Sequence, residues 1–302
     1  MWAIKKHIKM KRILIISLLF IMVQKGYSQL NPMGSIYYQN QYLANPAMAG
    51  TEQGWELNAA YKAQWVSIDG APKMQAISAA YGSQNKKVGF GVLLYNDVAG
   101  VVKRTSLKAS YAFHMPLNNE KTFIDFGLSV GFMDESVDNG RVVGDPGDGS
   151  IANFDERKLY LDADFGAALR AGGFTLQGAV PNLKRFLKRD VQRNVVDRSL
   201  FIASMSYKFL NKEGKLTSIE PKVAYRTIEN YKSILDVGAN FQFNGDKLLL
   251  SGVYHSSGSI TFGAGTTYRN KLGILAQYTT NTTDLRGYAN GEFEIALKYN
   301  FR

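Results

Sequence analysis

The sequence ends in FEIALKYNFR, residues 293–302, and this stretch bears directly on the fold. Apolar or aromatic residues occupy every second position from Phe293 to Phe301, and charged, amide or small residues lie between them. A side-chain period of two predicts a β-strand with one apolar and one polar face. The apolar face would point to a core in a soluble sandwich, but to lipid in a membrane barrel with a polar lumen. One strand is compatible with both folds, so the rest of the chain has to separate them.

Composition narrows the kinds of site that the chain can carry. Its 302 residues are enough for one large barrel or two ordinary domains. There is no cysteine, which excludes disulfides, thiolate metal sites and a lipoprotein cysteine. The 29 glycines, 7 prolines and 17 each of tyrosine and phenylalanine suit a β-rich chain. We expect no cofactor.

Residues 1–28 are predicted to be a signal peptide. A basic stretch precedes an apolar run from Ile13 to Val23, which is too short to span a bilayer well, and Gly26 and Ser28 suit a cleavage site. The alternative is a single N-terminal membrane anchor. The leader holds six of the 36 Lys and Arg residues and no acid, so the mature chain carries 30 basic against 25 acidic residues, or +5. This modest charge does not predict a nucleic-acid partner.

Alternation recurs along the mature chain, for example in SLKASYAFHM (106–115) and TFIDFGLSVGFM (122–133). It predicts strands at 54–62, 73–82, 87–96, 103–115, 121–133, 158–170, 173–180, 199–210, 217–228, 233–243, 247–255, 258–269, 271–280 and 291–302. Most are longer than the five or six residues usual in soluble folds, and they match the nine to eleven that a tilted membrane strand needs. We therefore predict an all-β fold, a transmembrane antiparallel β-barrel of about 14 strands over residues 54–302, with an irregular N-terminal segment.

The predicted links give an independent test of this fold. Every link longer than six residues is odd-numbered in chain order, and the even-numbered links are all short, as in the tight NGD hairpin at 244–246. Bacterial outer-membrane barrels alternate short periplasmic turns with longer outer loops in the same way. The pattern predicts an integral outer-membrane protein with both termini in the periplasm.

The aromatic ending has a second interpretation. The last strand of a barrel must close against the first, and an aromatic-rich terminal strand is also a signal for barrel insertion. LKYNFR is similar to such a signal, although Arg302 follows the aromatic. We assign this role to Tyr299 and Phe301.

Two further segments are candidates for contacts with partners. Residues 29–53 do not alternate and are rich in amides and aromatics, so they are predicted to plug the lumen or to bind a periplasmic partner. The loop NLKRFLKRDVQR (182–193) is basic. Its charges suit lipopolysaccharide phosphates or an acidic partner, or they form a solvated charge run. These charges are Lys184, Arg185, Lys188 and Arg189.

Candidates for catalysis are few. His114 and His255 are the only histidines after the leader, and both fall on the polar face of their strands. Ser251 shares a face with His255, but a Ser–His hydrolase also needs an orienting acid or amide. Without a nearby Glu or Cys the histidines make a poor metal site. We predict that they fill a polar lumen and that the protein is not an enzyme.

Four motifs occur in order: NPAMAG (45–50), QWVSIDGAPK (64–73), GVLLYNDVAG (91–100) and YAFHMPL (111–117). Together they resemble the PorP/SprF family of the type IX secretion system. The resemblance implies a non-enzymatic outer-membrane barrel that serves secretion or surface attachment of exported proteins such as gliding adhesins. It also implies type IX adhesins or sorting domains as partners, and the periplasmic ring components. A diffusion porin or nutrient channel is the alternative.

Two of these motifs are predicted to make the protein contacts. A large aromatic at Trp65, beside a turn-forming run, suits a rigid anchor for a partner, although it also suits the aromatic girdle at the membrane interface. The predicted partner-binding residues are Asn45, Pro46, Trp65, Asp69, Gly70 and Pro72.

Overall fold

The computed structural model describes residues 35–65, 70–117, 121–137, 159–183, 199–211, 214–228, 233–280 and 291–301. Three short 3-10 helices come first, at Ile36–Tyr38, Gln41–Leu43 and Pro46–Met48. The strands are β1 (Gly54–Gln64), β2 (Lys73–Gly82), β3 (Val88–Ala99), β4 (Val102–Pro116), β5 (Thr122–Val137), β6 (Tyr160–Ala171), β7 (Phe174–Val180), β8 (Ser199–Tyr207), β9 (Phe209–Leu210), β10 (Leu216–Ile228), β11 (Ile234–Phe243), β12 (Leu248–His255), β13 (Ser259–Tyr268), β14 (Leu272–Thr279) and β15 (Glu292–Phe301).

These strands form one closed antiparallel barrel. Each pairs with its neighbours in chain order, and β1 closes against β15 in a register that runs from Trp55 opposite Phe301 to Gln64 opposite Glu292. β8 and β9 both pair with β10 and form one barrel strand that is interrupted at Lys208. The barrel therefore has fourteen strands, which confirms the predicted fold.

Strand boundaries differ from the prediction mainly at two hairpins. β3 continues to Ala99 and β5 to Val137, beyond the predicted ends at 96 and 133. The extensions lack the regular alternation but keep backbone pairing and include charged residues: Asp97 lies opposite Arg104, and Arg104 lies opposite Glu135. Hydrophobic alternation ends where a strand leaves the apolar layer, whereas hydrogen bonding between strands does not.

The apolar face of the wall points outward. Phe293, Ile295 and Phe301 of β15 are 51%, 52% and 53% exposed, whereas Glu294 between them is 1% exposed. This arrangement inverts that of a soluble protein, where charged side chains are almost never fully buried. An outer surface of apolar side chains around a polar interior is the arrangement of a transmembrane barrel.

Aromatic pairs lie near both rims of the outward face. Their ring centroids are 4.5–5.1 Å apart. The pairs are Trp55–Tyr81, Tyr207–Phe209 and Tyr299–Phe301 at one rim, and Tyr278–Phe293 at the other. Such girdles mark the two membrane interfaces in barrels of this kind.

Charged side chains fill the interior and are paired there. Arg226 lies 2.8 Å from Asp236, Arg104 lies 2.6 Å from Glu135, and Lys108 lies 2.6 Å from Asp164. A buried charge without a partner would cost several kcal/mol, so this pairing is what allows a charged lumen. Within the described part of the chain, no helix is long and apolar enough to cross a membrane.

The two ends of the barrel differ in their connections. We call the end that carries Gly54 and Phe301 the short-turn end, and the opposite end the long-link end. At the short-turn end the strands are joined by links of five residues or fewer, including Asn244–Lys247, where Asn244 and Asp246 adopt the left-handed backbone of a tight hairpin. Every longer link lies at the long-link end.

The position of Phe301 on the closing seam gives a prediction. Its side chain faces outward beside Tyr299, and its backbone pairs with Trp55. We expect Phe301→Ala to lower the amount of assembled barrel by about twofold or more, because the seam loses apolar area where closure occurs. Phe262→Ala removes an outward aromatic of similar exposure, 58%, from β13 and is the matched control. Heat-modifiable mobility of outer-membrane fractions on gels measures assembly, and equal loss in both variants would contradict a special role of the seam.

Candidate functional site

The N-terminal segment, residues 35–50, lies inside the barrel against the polar faces of the strands. The segment forms three short 3-10 helices and no longer helix, because its sequence has no helical side-chain period. Asn45 and Pro46 fix the third of these helices. The Asn45 side chain accepts a hydrogen bond from Ala47 N at 2.9 Å, and Pro46 occupies the first helical position. Twelve of the sixteen residues of this segment are buried, and the other four are half-buried.

The first contacts of the segment are made at the long-link end. Ser35 N donates to both carboxylate oxygens of Glu294 at 2.9 Å, and Ser35 Oγ lies 2.9 Å from Thr261 Oγ1. The Tyr37 hydroxyl donates to Asp236. Polar side chains on three different strands therefore hold the start of the segment.

Asp236 is the centre of a buried cluster at this end. It also accepts from Arg226 Nε at 2.9 Å and from His255 Nδ1 at 2.6 Å. The Arg226 guanidinium stacks 4.8 Å from the centre of the Tyr37 ring. His255 Nε2 lies 2.8 Å from Thr261 Oγ1, so the ring joins the cluster to the Ser35 contact.

The middle of the segment is held by hydrogen bonds from a lysine of the wall and by two tyrosine hydroxyls of the segment. Lys222 Nζ donates to the Tyr38 carbonyl at 2.6 Å, and the Tyr38 hydroxyl donates to the Lys222 carbonyl. The Tyr42 hydroxyl lies 2.8 Å from Ser110 Oγ. These contacts hold the middle of the segment against β4 and β10.

A second cluster binds the end of the segment near the short-turn end. His114 Nε2 lies 3.1 Å from the carbonyl oxygen of Ala49, and Nδ1 lies 2.7 Å from Asp125 Oδ1. Asp125 also accepts from Arg170, at 2.6 Å from Nε and 2.9 Å from Nη2. Both clusters combine an aspartate, an arginine and a histidine.

Glycines in β5 and β6 allow the barrel wall to approach the segment closely. A Cβ atom at Gly127 would lie 2.2 Å from Ala47 N, and one at Gly166 would lie 1.9 Å from Asn45 Oδ1. Both distances are too short for real contacts, so the segment and these two strands approach as closely as glycine alone permits.

Part of the lumen remains open. A cavity of about 840 Å³ lies at the short-turn end, between the segment and the turns. Tyr42 and Met48 line it from the segment, and Lys121, Arg170 and Lys208 from the wall. Its mixture of cations, anions and aromatics suits contact with protein better than a small apolar ligand.

The family assignment follows from the sequence. Residues 27–299 match the family model described as type IX secretion system membrane protein PorP/SprF. The chain belongs to the PorP/SprF family. A comparison with curated proteins gave no match.

Several solved structures are similar to this PorP/SprF chain. Omp33 of Acinetobacter baumannii is 8% identical with a TM-score of 0.49, and covers 83% of this chain and 100% of its own. The toluene transporter TodX of P. putida is 10% identical with a TM-score of 0.47, covering 87% and 94%. A FadL homologue of Pseudomonas aeruginosa is 10% identical with a TM-score of 0.47, covering 85% and 93%. Scores at this level carry no functional argument.

The structure divides the predicted partner-binding residues of this family member between two places. Asn45 is 3% exposed and Pro46 is buried, so neither is available to a separate partner while the segment is seated. The Asn45 amide holds the segment against the wall by donating to the Ala167 carbonyl and to Gln177 Oε1. A role of Asn45 and Pro46 in binding a partner stays a prediction.

The other members of the set lie at the long-link end. Trp65 has a left-handed backbone with φ of 46°, and its N–H donates to the Gly291 carbonyl at 3.3 Å. The Pro72 carbonyl accepts from Gln64 N at 3.0 Å, and Gly70 has φ of 72°. Asp69 lies outside the described residues, as do Lys184, Arg185, Lys188 and Arg189 of the basic loop. Tyr299 and Phe301 face outward on the closing strand.

Sequence reasoning missed the acids that orient both histidines. Asp125 is directly opposite His114 across a hairpin, and Asp236 is directly opposite His255. Ser251 does not contact His255, whose Nε2 meets Thr261 instead, and Thr261 is fully buried beside Ser35. Among the described residues no group of three or more His, Cys, Asp or Glu side chains is placed to hold a metal ion.

The close approach at Gly127 yields a prediction. We expect Gly127→Ala to lower the unfolding free energy by about 1–3 kcal/mol, because the new methyl group meets the backbone of Ala47, which cannot yield like a flexible side chain. Gly252→Ala is the control, since a Cβ there meets no atom within 4 Å. Ordinary strand propensity favours alanine at both sites. Thermal unfolding of the detergent-solubilised protein measures the difference, and equal stability of the two variants would argue against tight seating of the segment.

Proposed function

We propose that this PorP/SprF barrel is a non-enzymatic outer-membrane component of the type IX secretion system, needed for secretion or surface attachment of specific exported proteins such as gliding adhesins. The observation that carries the proposal is the occupied lumen: residues 35–50 are held by buried clusters near both ends of the barrel. A protein that passes small solutes needs an open path, whereas one that binds other proteins needs a stable, shaped scaffold.

The proposed orientation places the short-turn end and the C-terminus in the periplasm. It rests on the distribution of links, since barrels of this class keep short turns on the periplasmic side. In this orientation the cavity lined by Lys121, Arg170 and Lys208 faces the periplasmic ring components. The long-link end then faces exported adhesins or their sorting domains. Outer-membrane lipid covers the apolar face, and the basic loop 182–193 contacts lipopolysaccharide.

The absence of enzymatic activity is supported by the state of the two histidines. Each has both ring nitrogens within hydrogen-bond distance of a partner, and both rings are buried. A general base has to reach a substrate proton, and these rings instead hold the wall and the segment together.

A diffusion porin is distinguished by conductance. We expect the purified protein to show no stable open-channel current in planar bilayers, because the segment crosses the lumen. A variant that lacks residues 29–49 and retains heat-modifiable mobility should conduct as an open channel. Porin-like current from the unaltered protein, with no increase on deletion, would favour the channel function.

Partner binding is tested at Trp65, which stands at the long-link end in a backbone conformation that is unusual for a bulky residue. We expect Trp65→Ala to reduce recovery of exported proteins with the tagged barrel by about tenfold, the effect of losing an aromatic anchor. Trp55→Ala is the matched control, because Trp55 lies on the lipid face near the opposite rim and is 53% exposed. Both variants are first checked for normal insertion. Unchanged recovery with Trp65→Ala would place this residue in the aromatic girdle only.

A further inference from the structure

We infer that the chain enters its own barrel from the long-link end, so that the residues before Ser35 are presented at the cell surface while the C-terminus stays in the periplasm. The direction of threading rests on contacts alone. The assignment of the entry point to the outer face of the membrane rests on the proposed orientation of the barrel.

The order of contacts along the segment shows the direction. Ser35 meets Glu294, the third residue of β15, which begins at the long-link end. Tyr37 meets Asp236, the third residue of β11, which begins at the same end.

The later residues of the segment contact positions nearer the short-turn end. Tyr42 meets Ser110 in the middle of β4, and Ala49 meets His114, close to the end of that strand. A Cβ at Gly50 would touch Tyr81, next to the last residue of β2. From residue 35 to residue 50 the segment therefore crosses the lumen once.

The chain then reverses at the short-turn end. Gly50 and Gly54 have φ of 65° and 86°, values that favour glycine, and only three residues separate them. β1 starts at Gly54 and runs back towards the long-link end. The segment and β1 are thus antiparallel: the segment lies in the lumen, and β1 is part of the barrel wall.

Chain length leaves no slack for a return of the N-terminus to the periplasm if the leader is cleaved after Ser28. The six residues 29–34 span at most about 20 Å when fully extended. Ser35 lies at the level of Glu294, which pairs with Lys62, and the strand from Lys62 back to Gly54 extends over about 26 Å, or about 20 Å along the axis of a barrel with strands tilted near 40°. Only a fully extended chain that ran back through the filled lumen would reach the short-turn end. The expectation that both termini are periplasmic came from strand parity, which fixes the positions of Gly54 and Phe301 but not of the chain that precedes the first strand.

The entry point is also a strong contact. Both oxygens of the buried Glu294 carboxylate accept from Ser35 N, and Ser35 Oγ pairs with Thr261. A carboxyl group and a hydroxyl group on two different strands thus hold the backbone and the side chain of Ser35 at the outer end of the segment.

The test uses single cysteines, because the chain has none of its own. Asn31→Cys is the probe. Ser256→Cys marks the long-link end and Asn85→Cys the short-turn end, since both residues are exposed in links between strands. Intact cells are treated with a membrane-impermeant maleimide, and lysed cells serve as the reference.

We expect Asn31→Cys and Ser256→Cys to be labelled on intact cells, and Asn85→Cys only after lysis. Protection of Asn31→Cys while Ser256→Cys is labelled would overturn the inference. Labelling of Asn85→Cys with protection of Ser256→Cys would instead show that the proposed orientation of the barrel is reversed, and the threading is then judged by whether Asn31→Cys behaves like Ser256→Cys.

A second measurement tests the seating of the entry point. The 2.9 Å between Ser35 Oγ and Thr261 Oγ1 predicts that Ser35→Cys with Thr261→Cys forms a disulfide in the oxidising periplasm or outside it. Ser35→Cys with Ser110→Cys is the control, because Ser110 pairs with Tyr42 in the middle of the lumen. Most of the first variant should shift in mobility on non-reducing gels. No shift, or an equal shift in the control, would overturn the inference.

Discussion

Two interior carboxylates, Asp125 and Asp236, hold the wall and the segment in one structure. Each is fully buried and each accepts hydrogen bonds from an arginine and a histidine on neighbouring strands. Asp236 binds the segment directly through Tyr37, and Asp125 does so through His114. Loss of one partner would leave a buried charge uncompensated, which costs about 3–5 kcal/mol. The lumen can therefore be highly charged only while the segment and the strands keep their mutual positions.

The strands could be predicted from the sequence because residues that face the membrane must be apolar, whereas the alternate residues face a polar lumen. The period of two marks each strand from 54–62 to 291–302, and the structure departs from it where polar hairpins such as Asp97–Arg104 continue beyond the apolar layer. The interruption at Lys208 was not predictable, because both sides of it keep the alternating pattern. Alternation records the environment of side chains and carries no information on where backbone pairing pauses.

The acid partners of the histidines could have been predicted from the sequence. His114 and Asp125 flank a short turn, and the register of a tight hairpin places them opposite each other. His255 and Asp236 are paired in the same way across β11 and β12. The course of residues 35–50 was not within reach, since its partners are scattered from Ser78 to Glu294 along the chain. No local pattern connects an irregular segment to so many distant strands.

The three-residue reversal between Gly50 and Gly54 makes the segment a tethered ligand of its own wall. A short covalent tether raises the effective concentration of a bound group to the millimolar range, so modest contacts suffice to keep it bound. Along the chain, the contact of Ala49 with His114 lies next to this tether, and the contacts with Glu294 and Asp236 lie farthest from it. A pull on the segment from the long-link end would therefore load the contacts with Glu294 and Asp236 first and the contact with His114 last.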